Sequence, residues 1–166
     1  MLEPSGYSET VTPHRARTLF PGLILGLLLL TLCTSCSMPR IVTLKDPLTP
    51  EEHLNLGVAY ERNGELELAV REYKAAVREM PLAYLYLGNA HFLKNDLRAA
   101  EDYYKRAIEK VPGHADAYNN LAWVYYVERR DLDEAERLVH TAMGLNPEKA
   151  QVYMDTLEKI RVLKNP

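Results

Sequence analysis

At 166 residues the chain is long enough for one domain and little else. Its 20 basic and 23 acidic residues nearly balance and alternate along the sequence, so no nucleic-acid footprint is visible. After Ser37 there is neither serine nor cysteine, which removes the two commonest nucleophiles from the rest of the chain.

Met1 to Thr18 is polar, with Arg15 and Arg17 near its end, and Leu19 to Leu32 is a run of 14 apolar or small residues. That run is short for a bilayer span and has the layout of a secretory signal peptide. It ends in Cys33-Thr34-Ser35-Cys36. This end resembles the bacterial lipoprotein signal, in which a small residue precedes the lipidated cysteine. Ser35 precedes Cys36, whereas the bulky Leu32 precedes Cys33. The sequence departs from that pattern where Cys33 stands three residues before Cys36 in place of the preferred leucine. The resemblance implies a removed segment 1–35 and a diacylglyceryl Cys36, usually further N-acylated. Several acyl chains, at about 0.8 kcal/mol per buried CH₂, anchor a protein firmly. In that family Ser37, rather than an aspartate, favours the outer membrane. An uncleaved anchor is the alternative reading, and a Cys-x-x-Cys pair can also mean redox chemistry or half a zinc site. Residues 36–48 then hold the lipidated cysteine and a spacer, of which Ser37 to Asp46, without helical period, reaches at most about 30 Å when extended.

From Thr49 the pattern turns helical. Thr49 and Glu52 make a capping box, with Pro50 at the first helical position. A template of Leu-Gly, a ring, an alanine, a second large residue, an alanine and a proline then recurs. Over 50–80 it is Leu56-Gly57, Tyr60, Ala69, Tyr73 and Ala76, closed by Pro81. Over 81–114 it is Leu87-Gly88, His91, Ala100, Tyr104, Ala107 and Pro112. Over 115–147 it is Leu121-Ala122, Tyr125, Ala135, Val139, Ala142 and Pro147, shifted by one residue in its second half. Each half has the i, i+3, i+4, i+7 spacing of one helix face. The small residues Gly57, Gly88 and Ala122 are expected to meet Ala69, Ala100 and Ala135 of the following helix. Turns fall at Asn63-Gly64, Asn95-Asp96 and Arg130-Asp131, the last predicting a second capping box from Asp131 to Glu134. Gly57 to Gly88 spans 31 residues and Gly88 to Ala122 spans 34, so three are missing near Met80-Pro81-Leu82 and one is added within 128–130. The deletion predicts a tight lead-in to the helix starting near Leu82. Residues 148–166 predict a capping helix with Ala150, Tyr153, Leu157 and Ile160 inward and Gln151, Asp155, Glu158 and Lys159 outward.

These copies resemble the tetratricopeptide repeat from about Pro50 to Asn146. The resemblance implies an all-α solenoid of three helical hairpins plus the C-terminal capping helix, with one continuous core. It also implies protein binding on a concave side lined by the first helix of each hairpin. The positions beside the core face are Leu54, Val58 and Glu61, then Leu85, Asn89 and Phe92, then Asn119, Trp123 and Tyr126. The second and third of these helices are apolar on two faces, which an ordinary surface helix is not. A bound partner explains that, as does packing of Phe92, Trp123 and Tyr126 on one another or under the spacer. Some repeat co-chaperones clamp a terminal carboxylate with a Lys and Arg ring; here Leu54, Val58, Tyr86 and Asp116 stand at those places.

Nothing in the pattern asks for catalysis or a cofactor. His53 and His91 take ring positions of the repeat and read as packing residues, and no histidine pair has metal-ligand spacing. The expectation is therefore a non-enzymatic, lipid-anchored scaffold in the bacterial envelope, on the periplasmic face of the outer membrane, assisting assembly of an envelope complex. An accessory subunit of an envelope enzyme, such as a peptidase or polysaccharide-synthesis complex, is the alternative. Self-association through the aromatic stripe is another.

Overall fold

The computed structural model describes residues 46–165. Cys36, the apolar run and most of the spacer lie outside them. Among the described residues there are seven α-helices and no strand. They are α1 (Pro50–Arg62), α2 (Leu66–Ala76), α3 (Ala83–Leu93), α4 (Leu97–Lys110), α5 (Ala115–Glu128), α6 (Leu132–Leu145) and α7 (Ala150–Lys164). A 3₁₀ turn, Pro147–Lys149, precedes α7. No helix among the described residues is long and apolar enough to cross a membrane.

Helices α1 with α2, α3 with α4 and α5 with α6 pair as hairpins, and each hairpin packs on the next through α2 with α3 and α4 with α5. Helix α7 covers the end by packing on both α5 and α6. Its inward residues are Tyr153, Thr156, Leu157 and Ile160, while Val152 and Val162 break its otherwise polar outer face. The buried residues form two clusters rather than one. Ala69, Val70, Tyr73, Leu87 and Ala90 make the smaller cluster. The larger one runs from Leu85 to Ile160. Half-buried Tyr84 packs against both, so continuity passes through a ring with a hydroxyl rather than through aliphatic side chains.

All three hairpin turns close the first helix alike. The amides of Glu65, Asp96 and Arg130 donate to the carbonyls of Tyr60, His91 and Tyr125, five residues back. The residue before each donor is left-handed: Gly64 at φ 78°, Asn95 at φ 60° and Arg129 at φ 54°. Glycine and asparagine adopt this conformation readily, whereas arginine does so at a cost of about 1 kcal/mol. In the first two turns the donor residue is also the N-cap of the next helix. In the third, Arg130 is the added residue, and it pushes the N-cap on to Asp131.

That displacement overturns the predicted second capping box. Asp131 is itself left-handed, at φ 50°, and its side chain makes no cap hydrogen bond. It accepts instead from Arg130 Nη1 at 2.9 Å, while Glu134 pairs with Arg137. Arg130 also meets Glu101 of α4 and lies 4.5 Å over the Tyr125 ring, so the added residue ties the turn to the preceding hairpin. The first capping box forms as predicted. Thr49 Oγ1 accepts from the Glu52 amide at 3.2 Å, and Glu52 Oε2 accepts from the Thr49 amide at 2.8 Å. Thr49→Ala should therefore cost about 1 kcal/mol in denaturant unfolding, and Asp131→Ala well under 0.5 kcal/mol. Equal losses at the two sites would contradict this assignment.

The missing residues show as predicted in the lead-in to α3. Amides of Ala83, Tyr84 and Leu85 each bond three residues back, to Met80, Pro81 and Leu82, in tight 3₁₀ fashion. Helices α2 and α3 have 11 residues each where α4 and α5 have 14.

Candidate functional site

What lies nearest above the two glycines of the repeat is a tyrosine ring, four residues beyond the alanine expected there. A Cβ on Gly57 would stand 2.4 Å from Cε1 of Tyr73, and one on Gly88 would stand 2.4 Å from Cε1 of Tyr104. Each glycine is thus a notch filled by a ring from the second helix. At the matched positions of the third copy stand Ala122 and Val139, both fully buried, so a larger first partner goes with a smaller second one.

Each notch carries a hydroxyl through to the side lined by α1, α3 and α5. Tyr73 donates to Glu61 Oε2 at 3.0 Å, and Tyr104 donates to Asn89 Oδ1 at 2.9 Å. Asn120 Nδ2, from α5, donates to the same Asn89 oxygen at 3.0 Å. Asn89 Oδ1 is thereby saturated. Its amide nitrogen and the Asn120 carbonyl oxygen make no hydrogen bond among the described residues, so the pair presents a free amino group and a free carbonyl.

Around this pair opens a cavity of about 270 Å³, lined by Glu61, Asn89, Phe92, Leu93, Tyr104, Asn120 and Trp123. Its walls are apolar, its floor is the Tyr104–Asn89–Asn120 network, and its single charge is the Glu61 carboxylate. Trp123 is half-buried, its ring 4.8 Å from that of Tyr126. Lys159 of α7 lies 5.2 Å over the indole and is held there by Asp155.

Of the residues expected to line the groove, the fold brings Glu61, Asn89, Phe92 and Trp123 together in this cavity. Leu54 and Val58 pack half-buried against the smaller cluster. Leu85 is a correction: it is 7% exposed and belongs to the larger cluster with Ala117 and Leu121 of α5. Burial in that cluster removes the position from the surface. Tyr126 packs against the larger cluster. Asn119 lies outside the cavity lining, and its buried Oδ1 has no partner among the described residues. Asn120 and Tyr104 were not expected. The 34-residue interval from Gly88 to Ala122 matches Asn89 to Trp123, so Asn120, three residues earlier, had no signal in the repeat register.

One further expectation needs revision. His53 is more than packing: its Nδ1 lies 2.8 Å from Glu72 Oε2 and its Nε2 lies 3.2 Å from Asp46 Oδ2. Buried Glu72 also accepts from Arg71, which completes a polar cluster beneath the first hairpin. His91 does pack, its ring 5.0 Å from Tyr103, with Nδ1 on Asp96. Asp116 is held by Lys149 at 2.9 Å and by the Tyr153 hydroxyl at 2.7 Å. Among the described residues no cluster of three or more His, Cys, Asp or Glu is placed to hold a metal ion.

Stacked helical hairpins with a side-chain-lined concavity define an α-solenoid repeat protein. The sequence profile of the tetratricopeptide repeat matches residues 40–84, 54–115 and 85–148, and the chain belongs to that family. Human protein O-mannosyl-transferase TMTC2 is 30% identical over 125 residues, which is 69% of this chain and 15% of that protein. The fold is similar to the first TPR of Spaghetti (RPAP3) bound to the HSP90 peptide SRMEEVD, at TM-score 0.65 and 18% identity, covering 73% of this chain and 97% of that one. It is also similar to the TPR2B-domain–pHsp70 complex of yeast Sti1, at TM-score 0.63 and 20% identity, covering 68% and 95%. MamA gives TM-score 0.55 and 25% identity over 72% of this chain and 80% of its own.

Proposed function

We propose that this chain is a protein-interaction scaffold whose concave cavity binds a peptide segment of its partner. The observation that carries the reading is the Asn89–Asn120 pair, with a free amino group and a free carbonyl in a cavity that Phe92 and Trp123 also line. A peptide backbone offers the complementary acceptor and donor, and aromatic walls supply the apolar contact that concentrates binding energy. The two similar folds seen with Hsp70 and HSP90 peptides support the use of this architecture for peptides. The partner differs in kind from a carboxylate tail held by a basic ring, because Leu54, Val58, Tyr86 and Asp116 stand where such a ring would be.

Trp123→Ala tests this. Partner binding should weaken by about 2 kcal/mol or more. Fold stability should fall by less than the roughly 3–5 kcal/mol of a fully packed aromatic. Unchanged binding in a mutant of collapsed stability would assign the indole to the core and remove the anchor.

We infer further that the scaffold is tethered to the bacterial envelope through a lipid on Cys36, on the periplasmic face of the outer membrane, where it serves assembly of an envelope complex. The apolar run ending in Thr34-Ser35-Cys36 supports this, with Ser37 for the choice of membrane. Cys36→Ala should abolish acyl labelling and leave unprocessed precursor. Labelling that persists, or that needs Cys33 instead, would refute the assignment.

A further inference from the structure

We propose that the concave cavity selects a segment bearing a lysine or arginine side chain, which the Glu61 carboxylate receives. The inference rests on the peptide-binding reading and adds the sign of the ligand's charge. The lining holds one carboxylate and no basic side chain. Glu61 is also unlike the other half-buried acids. Glu101, Asp116, Glu134 and Glu136 each meet a lysine or an arginine. Among the described residues Glu61 meets none, and its only side-chain hydrogen bond comes from the neutral Tyr73 hydroxyl, which fixes one oxygen and leaves the charge uncompensated.

A partly shielded carboxylate keeps more of its field than one in open water. That field reaches both notch tyrosines: burial first, and then the Glu61 charge, push the Tyr73 hydroxyl up. Burial pushes the Tyr104 hydroxyl up too, with Asn120 opposing and Glu61 adding. An acidic side chain entering here would meet like charge, and a neutral one would leave Glu61 unpaired. A cationic side chain meets opposite charge, its methylene stem lying along the apolar wall of Phe92 and Leu93 while the head reaches the acid. Lys159 already stands over one face of the Trp123 ring, which leaves the Glu61 carboxylate as the unpaired charge of the cavity.

The test presents the full chain to an array of short peptides of randomised sequence, with Trp123→Ala as control. Retained peptides should be enriched in Lys or Arg next to an apolar residue. One retained peptide is then titrated against the same peptide with glutamine in place of its cation, read by fluorescence of the chain's single tryptophan. Removing the cation should weaken binding about fivefold, and the difference should shrink as salt rises. Glu61→Gln keeps an oxygen for Tyr73, so it should weaken the cationic peptide by the same factor and leave the neutral one unchanged. Retention of acidic or charge-indifferent peptides would overturn the charge selection and leave the peptide groove standing. Retention no greater than the Trp123→Ala control would overturn both. Should Glu61→Gln unfold, the paired peptides on the unmodified chain still decide, because equal affinities refute the proposal.

Discussion

Gly88→Ala should destabilise the fold by about 2–3 kcal/mol, although alanine is the better helix former. In an open helical position the same change gains up to about 1 kcal/mol, which is the expectation for Gly144→Ala, where nothing lies within 4 Å of the added carbon. At Gly88 the new Cβ would fall 2.4, 2.5 and 3.0 Å from three carbons of the Tyr104 ring. That ring is 2% exposed and its hydroxyl is bound to Asn89, so it has no free direction of retreat. The third repeat indicates the remedy, since Ala122 there goes with Val139. Gly88→Ala combined with Tyr104→Val should recover more than half of the lost stability. It should not recover peptide binding, because the hydroxyl that holds Asn89 is gone. Chemical denaturation of the four members of this cycle measures the coupling directly. A Gly88→Ala protein as stable as the parent would mean that the ring does not fill the notch.

Helix periods, hairpin pairing and the Thr49 cap were legible in the sequence because each depends on residues within a few positions of one another. The glycines were legible as places of close approach, but not what approaches them. Ala69 and Tyr73 lie on one helix face, and only the packed geometry shows that the ring, rather than the methyl, fills the space over Gly57. The added residue in the third turn was countable, yet its consequence was not. Whether an aspartate can cap depends on its backbone angle, and Asp131 is left-handed because Arg130 intervenes after the closing bond to Tyr125.

The site was legible as a stripe and not as a cavity. Periodicity places Asn89, Phe92 and Trp123 beside the core face, and the fold brings them together. Periodicity gives Leu85 the same standing, and packing into the larger cluster buries it. The polar floor depends on tyrosines of the second helices reaching across a hairpin. That interaction depends on how two helices pack, and no window along the chain contains it. The glycine notch therefore has two consequences at once: it sets the spacing within the hairpin, and it delivers a hydroxyl to Glu61 or Asn89. Core and binding surface are coupled, so the Gly88 cycle probes function as well as stability.

Tyr153→Ala should cost about 3–5 kcal/mol, the largest loss expected of any single change in α7. The ring is 1% exposed within the larger cluster, on the helix that closes the last hairpin. Its hydroxyl is also the short partner of Asp116, at 2.7 Å. Burial would raise the Asp116 carboxyl, but the bonds from Lys149 and Tyr153 outweigh it and hold the group below its ordinary value of 3.8. Glu136 of α6 is drawn down to about 2 by Lys164 and then Arg161 of α7. Both acids are thus depressed in the folded state. Their contribution to docking α7 is complete above their ordinary pKa values, and it is lost as pH falls through the folded ones. Tyr153→Phe keeps the ring and removes one bond, so it should cost only about 1 kcal/mol. It should also make the protein less sensitive to acid over the interval below about pH 4, where Asp116 takes up its proton. Urea unfolding of the three proteins across that interval separates ring from hydroxyl. If Tyr153→Ala loses less than about 1 kcal/mol, α7 folds and unfolds apart from the hairpins and does not close their core.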